Sequence, residues 1–257
     1  MKKIIIFALI LGLFACSNET KKSETVKETA KQESAQAETN QEQQQVAQPE
    51  KTETSETPEK VESPSENNNV ETKIIISTDY GEIMLKLYNE TPGHRDNMIK
   101  LIIGGWYKNS PFHRIIKNFM IQGGQNADGR VDPGYTIPAE FVHGYIHKKG
   151  ALAAARMGDN VNPAKESSGC QFYIVQGKKM SDAELNMIEK KGKFNYTPEQ
   201  REVYKTIGGT PFLDYSYTVF GEVVSGLEVV DKIASVRTGK GDVPVKPVVM
   251  NISIVEL

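Results

Sequence analysis

Phe112-His113-Arg114-Ile115-Ile116-Lys117-Asn118-Phe119-Met120-Ile121-Gln122-Gly123-Gly124 contains two short strand-like runs, Phe112 to Ile116 and Phe119 to Gln122, and ends on two turn glycines. Upstream, Lys73 to Thr78 and Gly81 to Tyr88 flank Asp79-Tyr80-Gly81 as a hairpin, and the second run sets Ile83, Leu85 and Leu87 on one face. Between this hairpin and Phe112, Thr91-Pro92-Gly93 leads into a short helix, Asn97 to Ile102, ended by Gly104-Gly105. Downstream, Gly150 to Ala155, Gln171 to Val175 and Tyr217 to Val223 repeat the strand pattern. Leu227 to Ala234 has helical spacing, and Val248 to Val255 supplies a last strand. Many strands and few helices predict a mainly β fold, a closed antiparallel barrel without exposed edges.

The chain of 257 residues, 38% hydrophobic, allows one medium domain plus extensions. A net charge of -2 argues against a nucleic-acid partner, which requires a basic surplus. Two cysteines, Cys16 and Cys170, exclude a disulfide scaffold or a multi-thiolate zinc site. Residues 17–71 hold thirteen Glu against six Lys and no aromatic residue, whereas residues 72–257 carry a net charge of +3 and every aromatic residue except Phe7 and Phe14. The acidic segment has too little apolar area to offset about 1 to 2 kcal/mol of backbone entropy per residue. Residues 16–71 are therefore expected to be a disordered tether and residues 72–257 the folded domain.

Met1-Lys2-Lys3 and the apolar run Ile4 to Ala15 have the basic and hydrophobic regions of an export signal, too short for the roughly 20 residues that span a bilayer. Leu13-Phe14-Ala15-Cys16 resembles a bacterial lipobox, which implies cleavage after residue 15 and lipidation of Cys16. The alternative is an ordinary cleavage site beside Cys16. With lipidation, a tether of roughly 55 residues and roughly 40 Å reach holds the domain away from the membrane. Cys170 is then left as a buried thiol. The expected location is the cell envelope, with the outer membrane favoured because Ser17 replaces the aspartate of inner-membrane retention; which face the anchor occupies stays open.

The stretch from Phe112 to Gly124 resembles the signature of the cyclophilin-type peptidyl-prolyl isomerases. Gly150-Ala151-Leu152-Ala153-Ala154-Ala155-Arg156, Gln171-Phe172-Tyr173-Ile174, Phe212-Leu213-Asp214 and Val219-Phe220-Gly221 match in the family's order. The resemblance covers about residues 72–257 apart from one insertion. It implies an eight-stranded closed barrel with a helix at each end.

Rotation about an X-Pro bond crosses about 18 to 20 kcal/mol because amide resonance is broken at the twisted state. Catalysis then needs a donor aimed at the prolyl nitrogen and an apolar seat for the ring, with no nucleophile, metal or cofactor. The resemblance makes Arg114 the donor; a guanidinium keeps its protons at neutral pH. Gln122 corresponds to the group that meets the substrate carbonyl, and Gln171 to one that holds the arginine or the substrate backbone. Phe119, Met120, Tyr173 and Leu213 correspond to the proline pocket, with Ala155 lining the groove and His113 beside the arginine. Arg156 replaces a frequent asparagine at a position used through its backbone. Phe212 and Tyr217 stand where the best-known eukaryotic members carry tryptophan and histidine, which leaves an aromatic wall. Tyr173 replaces the usual phenylalanine, and its hydroxyl requires a partner.

His143 and His147 have i, i+4 spacing, but Gly144 intervenes and no third ligand is evident, so no metal site is expected. Gly123-Gly124 and Gly208-Gly209 lack the Lys-Ser/Thr of a phosphate loop. Residues 178–209 form the insertion. Ser181-Asp182-Ala183-Glu184 is a capping box opening a helix to about Lys191, and Thr197-Pro198-Glu199-Gln200 opens a second to about Ile207. These helices either decorate the surface or extend the substrate groove. The reading is a monomeric, lipid-anchored isomerase acting on proline-containing chains during folding of exported proteins. The rivals are a proline-recognising chaperone and an envelope scaffold with incidental turnover.

Overall fold

The computed structural model describes residues 71–130 and 132–256; the signal, Cys16 and nearly all of the expected tether lie outside the described residues. In chain order the elements are β1 (Lys73–Thr78), β2 (Gly81–Leu87), α1 (Pro92–Ile103), β3 (Ser110–Pro111), β4 (Arg114–Ile116), β5 (Met120–Gly123) and β6 (Thr136–Ile137). Then follow β7 (Ala151–Ala154), β8 (Ser167–Ser168), β9 (Phe172–Val175), α2 (Asp182–Gly192), α3 (Pro198–Thr206), β10 (Val219–Ser225), α4 (Leu227–Ala234) and β11 (Val249–Glu256). The expected hairpin is present, with Ile76 opposite Ile83 and Ile74 opposite Leu85.

One antiparallel ladder runs β3-β11-β1-β2-β10-β7-β9-β5-β4, and β6 and β8 pair separately. The result is a curled sheet, a half-barrel with helices. The mainly β antiparallel fold is as expected, and the main ladder has nine strands where eight were expected. Both ends lie on one segment: Ser110–Pro111 pairs with β11, and the Phe112 N–H continues that pairing to the Val248 carbonyl at 2.9 Å. The His113 N–H then turns to the Gln122 carbonyl at 3.0 Å, and Arg114–Ile116 pairs with β5. This switch of partner cuts the expected run from Phe112 to Ile116 back to Arg114–Ile116, with β3 just before it.

Alternation on β1 and β2 buries Ile74, Ile76, Ile83, Leu85 and Leu87 completely. Helix α1 packs on β11, and α4 packs on β2, β4 and β5, adding Met98, Leu101, Val229, Val230 and Ile233 to the same core. A second apolar cluster, around Met120, Tyr173, Val175 and Val219, lies under Phe119, Leu213 and Tyr217. A third joins Ile146 to Met180, Leu185, Tyr196 and Tyr204 of the insertion. Both of its helices carry complete capping boxes, at Ser181 with Glu184 and at Thr197 with Gln200. Its two chain ends touch at Gly177, with φ of +63°, and Gly209, where a side chain on Gly177 would strike the Gly209 backbone.

Candidate active site

Strand register assembles the cleft. Arg114 on β4 lies opposite Gln122 on β5, Gln122 opposite Tyr173 on β9, and Tyr173 opposite Ala153 on β7. Directly opposed residues project from the same face of a sheet, so the arginine, the glutamine and the tyrosine ring come together across three strands. Met120, two residues before Gln122, joins that face. The resulting cleft, about 180 Å3, is lined by Arg114, Phe119, Met120, Gln122, Ala155, Arg156, Tyr173, Leu213 and Tyr217. Sites that engulf drug-sized ligands run to roughly 300 to 1,000 Å3, so this one is scaled to a single small side chain.

Met120 and Tyr173 are buried at the floor. Leu213 reaches the wall from the 3₁₀ turn Pro211–Leu213, and Tyr217 follows it. Arg156 was expected to act through its backbone. Its side chain is instead part of the wall: the guanidinium sits 4.5 Å from the Tyr217 ring centre, Nε donates to the Ser216 carbonyl at 2.6 Å, and Nη2 pairs with Asp159 at 2.6 Å.

Arg114 stands at the mouth with its side chain 41% exposed, and its Nε meets Asp242 Oδ2 at 3.4 Å. Gln122 Nε2 donates to Gln171 Oε1 at 3.2 Å. Gln171 lines a wider depression that shares Gln122, Ala155 and Arg156 with the cleft and adds Asp132, Tyr135 and Glu166. A groove therefore continues past the cleft. His113 holds the register through its backbone, and its ring is outside the lining set; burial, reinforced by the Arg114 charge, lowers its pKa below the ordinary imidazole value. Its Nδ1 is buried and meets no hydrogen-bond partner among the described residues. Phe212, expected in the wall, is 57% exposed and rests 5.6 Å from the Phe119 ring, on the rim rather than inside. Its place in a short turn aims it outward while Leu213 takes the wall position.

The hydroxyl of Tyr173 finds its partner in His147 Nε2 at 3.0 Å, and His147 Nδ1 meets Asp214 Oδ1 at 2.7 Å. His147 is thus a buried link behind the floor, and His143 stacks separately on Tyr215. Asp214 was quoted within the Phe212-Leu213-Asp214 block but given no role, and Asp242 was not singled out. The pointer to the role of the former was the tyrosine at position 173, a buried hydroxyl in need of a partner. Among the described residues no cluster of three or more His, Cys, Asp or Glu side chains is disposed to hold a metal.

The sequence model of the family described as "Cyclophilin type peptidyl-prolyl cis-trans isomerase/CLD" matches residues 73–254. The chain belongs to that family. As a cyclophilin-type enzyme it is a peptidyl-prolyl cis-trans isomerase. Similar proteins named as peptidyl-prolyl cis-trans isomerases occur in Staphylococcus aureus and Staphylococcus epidermidis; each is 32% identical over 185 residues, covering 70% of this chain and 89% of the relative. A Cryptosporidium parvum cyclophilin-type isomerase has the same fold, with a TM-score of 0.52 at 22% identity over 72% of this chain and 98% of that one. A second structure of that protein, determined in the presence of the dipeptide Ala-Pro, gives 0.50 over 71% of this chain and 98% of that one at the same identity. In this cyclophilin the family match covers the curled sheet and the insertion together.

Proposed function

We propose that the cleft between β4, β5 and β9 seats the proline ring of an X-Pro segment and that Arg114 lowers the barrier to its rotation. The ring rests on Met120 and Tyr173 between Phe119 and Leu213, and the flanking chain follows the groove past Gln122 and Gln171. As the amide twists, its nitrogen lone pair becomes localised, and a guanidinium proton stabilises it at that moment more than in the planar ground state. Gln122 holds the substrate carbonyl. The observation that carries this reading is the convergence of Arg114, Gln122 and Tyr173, from three different strands, on one cleft of single-residue size.

The clients are exported proteins, and the domain acts as a monomer on a lipid anchor at Cys16 in the outer membrane; the export signal, the adjacent cysteine and the acidic tether support this. We also infer that the segment 110–116, which supplies both end strands of the ladder, is the seam that closes the sheet into a barrel. The test of function is Arg114→Ala in a protease-coupled assay on an X-Pro tetrapeptide. The expected loss in kcat/KM is at least about tenfold, or about 1.4 kcal/mol. Wild-type turnover by a variant with an unchanged circular dichroism spectrum overturns the role of Arg114.

A further inference from the structure

The floor of the cleft is tied to the insertion by a chain of buried polar groups that the isomerisation chemistry does not require. Tyr173, His147, Asp214, Tyr196 and Tyr204 are all buried, and the His147 and Asp214 side chains have no exposure at all. Asp214 Oδ1 accepts from the His147 backbone N–H at 2.7 Å and faces His147 Nδ1 at 2.7 Å. Asp214 Oδ2 accepts from the Tyr196 hydroxyl at 2.7 Å and the Tyr204 hydroxyl at 2.5 Å. Tyr204 lies on α3 and Tyr196 just before it, so the insertion supplies two of the donors on this carboxylate.

Burial pushes the phenols of Tyr173, Tyr196 and Tyr204 upward, so all three keep their protons and donate. In the tautomer that carries its proton on Nδ1, facing Asp214, the Nε2 of His147 accepts from the Tyr173 hydroxyl. The donors then run one way, from Tyr173 to His147 to Asp214. The single proton of the Tyr173 hydroxyl is turned away from the cleft, and the ring presents an apolar face to a proline. If the carboxylate lost its donors, the histidine would lose its anchor, and a buried hydroxyl would be left to find a partner inside the cleft.

We infer that His147 and Asp214 are positioning residues for the proline pocket, and that the 178–209 insertion fixes the pocket floor by donating two hydrogen bonds to Asp214. This rests on the cleft being the proline site. It gives the insertion a task different from both expectations, decoration and groove extension. It also pairs two features of this sequence, the hydroxyl at position 173 and the inserted helices, as parts of one device.

The experiment uses the full chain and a tetrapeptide with kcat and KM resolved. Tyr204→Phe removes one donor without changing the ring, and Asp214→Asn replaces the shared acceptor. Each is expected to raise KM about two- to tenfold, the worth of one hydrogen bond, with kcat changed less than about twofold. In a Tyr173→Phe background, where no hydroxyl remains to be held, the same substitutions should move KM less than about twofold relative to Tyr173→Phe alone. An equal rise in both backgrounds, or no rise in Tyr204→Phe, overturns the inference. Should Asp214→Asn fail to fold, Tyr204→Phe decides alone. Arg114→Ala, run in parallel, separates the two readings: full activity there removes the cleft assignment and this inference with it. Loss of activity there beside an unmoved KM in Tyr204→Phe removes this inference only.

Discussion

His113 and Arg114 are neighbours with different tasks. The Arg114 side chain lines the cleft mouth, while the half-buried His113 ring stays outside the lining set, under desolvation and a neighbouring positive charge. Both effects disfavour the imidazolium, so the folded pKa lies below the ordinary value of 6.5. The unfolded chain therefore binds the proton first as pH falls, and stability present above about pH 6.5 is lost as the pH drops toward the folded pKa. Between about pH 7.5 and 5.5, urea midpoints of the wild type should fall more than those of His113→Gln. His94 is shifted in the same direction by burial, so part of the wild-type slope survives in the variant. Equal slopes in the two proteins would show that His113 is protonated alike in both states. At this scale the site was legible where chemistry lies in a contiguous motif, as for Arg114, Met120 and Gln122. It was illegible in the roles of Asp214 and His147, which come from partners 10 to 67 residues away.

The helices show the same division between local and distant causes. Capping boxes are local, so α2 and α3 begin at the residues that their caps predict. Helix α1 begins at Pro92, five residues before the expected Asn97, and its N-cap Thr91 makes no side-chain capping bond. Glu140 caps it from outside instead, accepting from the Gly93 N–H at 2.9 Å and the His94 N–H at 3.0 Å, with a further contact to His94 Nδ1 at 2.5 Å. Burial by itself would raise the Glu140 pKa, but the bonds from the His94 ring and the two backbone N–H groups outweigh it and hold the carboxyl below its usual range. His94 Nε2 in turn meets Ser167 Oγ at 2.9 Å. The order carboxylate, imidazole, serine resembles a hydrolytic triad, yet Ser167 is 1% exposed, so no substrate reaches it and the arrangement clamps α1 to β8. Glu140→Ala should cost about 1 to 3 kcal/mol, read as a lowered urea midpoint at unchanged m-value, and Glu140→Gln should cost less because it keeps an acceptor oxygen. An alanine variant as stable as the wild type would mean that α1 is capped by solvent.

Across the whole molecule, the uneven charge of the sequence separates an acidic extension of low apolar content from a domain with an apolar core. The separation leads to the expectation that attachment and catalysis can be altered independently. Cysteine chemistry provides the test. Burial pushes the Cys170 thiol up to about 11, so at neutral pH it is protonated as well as shielded and reacts slowly with thiol reagents. Any rapidly labelled thiol in the folded protein must then be Cys16, and a lipidated Cys16 is blocked as a thioether. Protein isolated from membranes should show no fast-reacting thiol and should partition into the detergent phase. Cys16→Ser should move to the aqueous phase and retain wild-type kcat/KM on the tetrapeptide. A fast-labelling thiol in the membrane-derived wild type, or unchanged partitioning of Cys16→Ser, would remove the lipid anchor and leave the isomerase untouched. Loss of turnover in a soluble, folded Cys16→Ser protein would instead contradict the independence of the two halves.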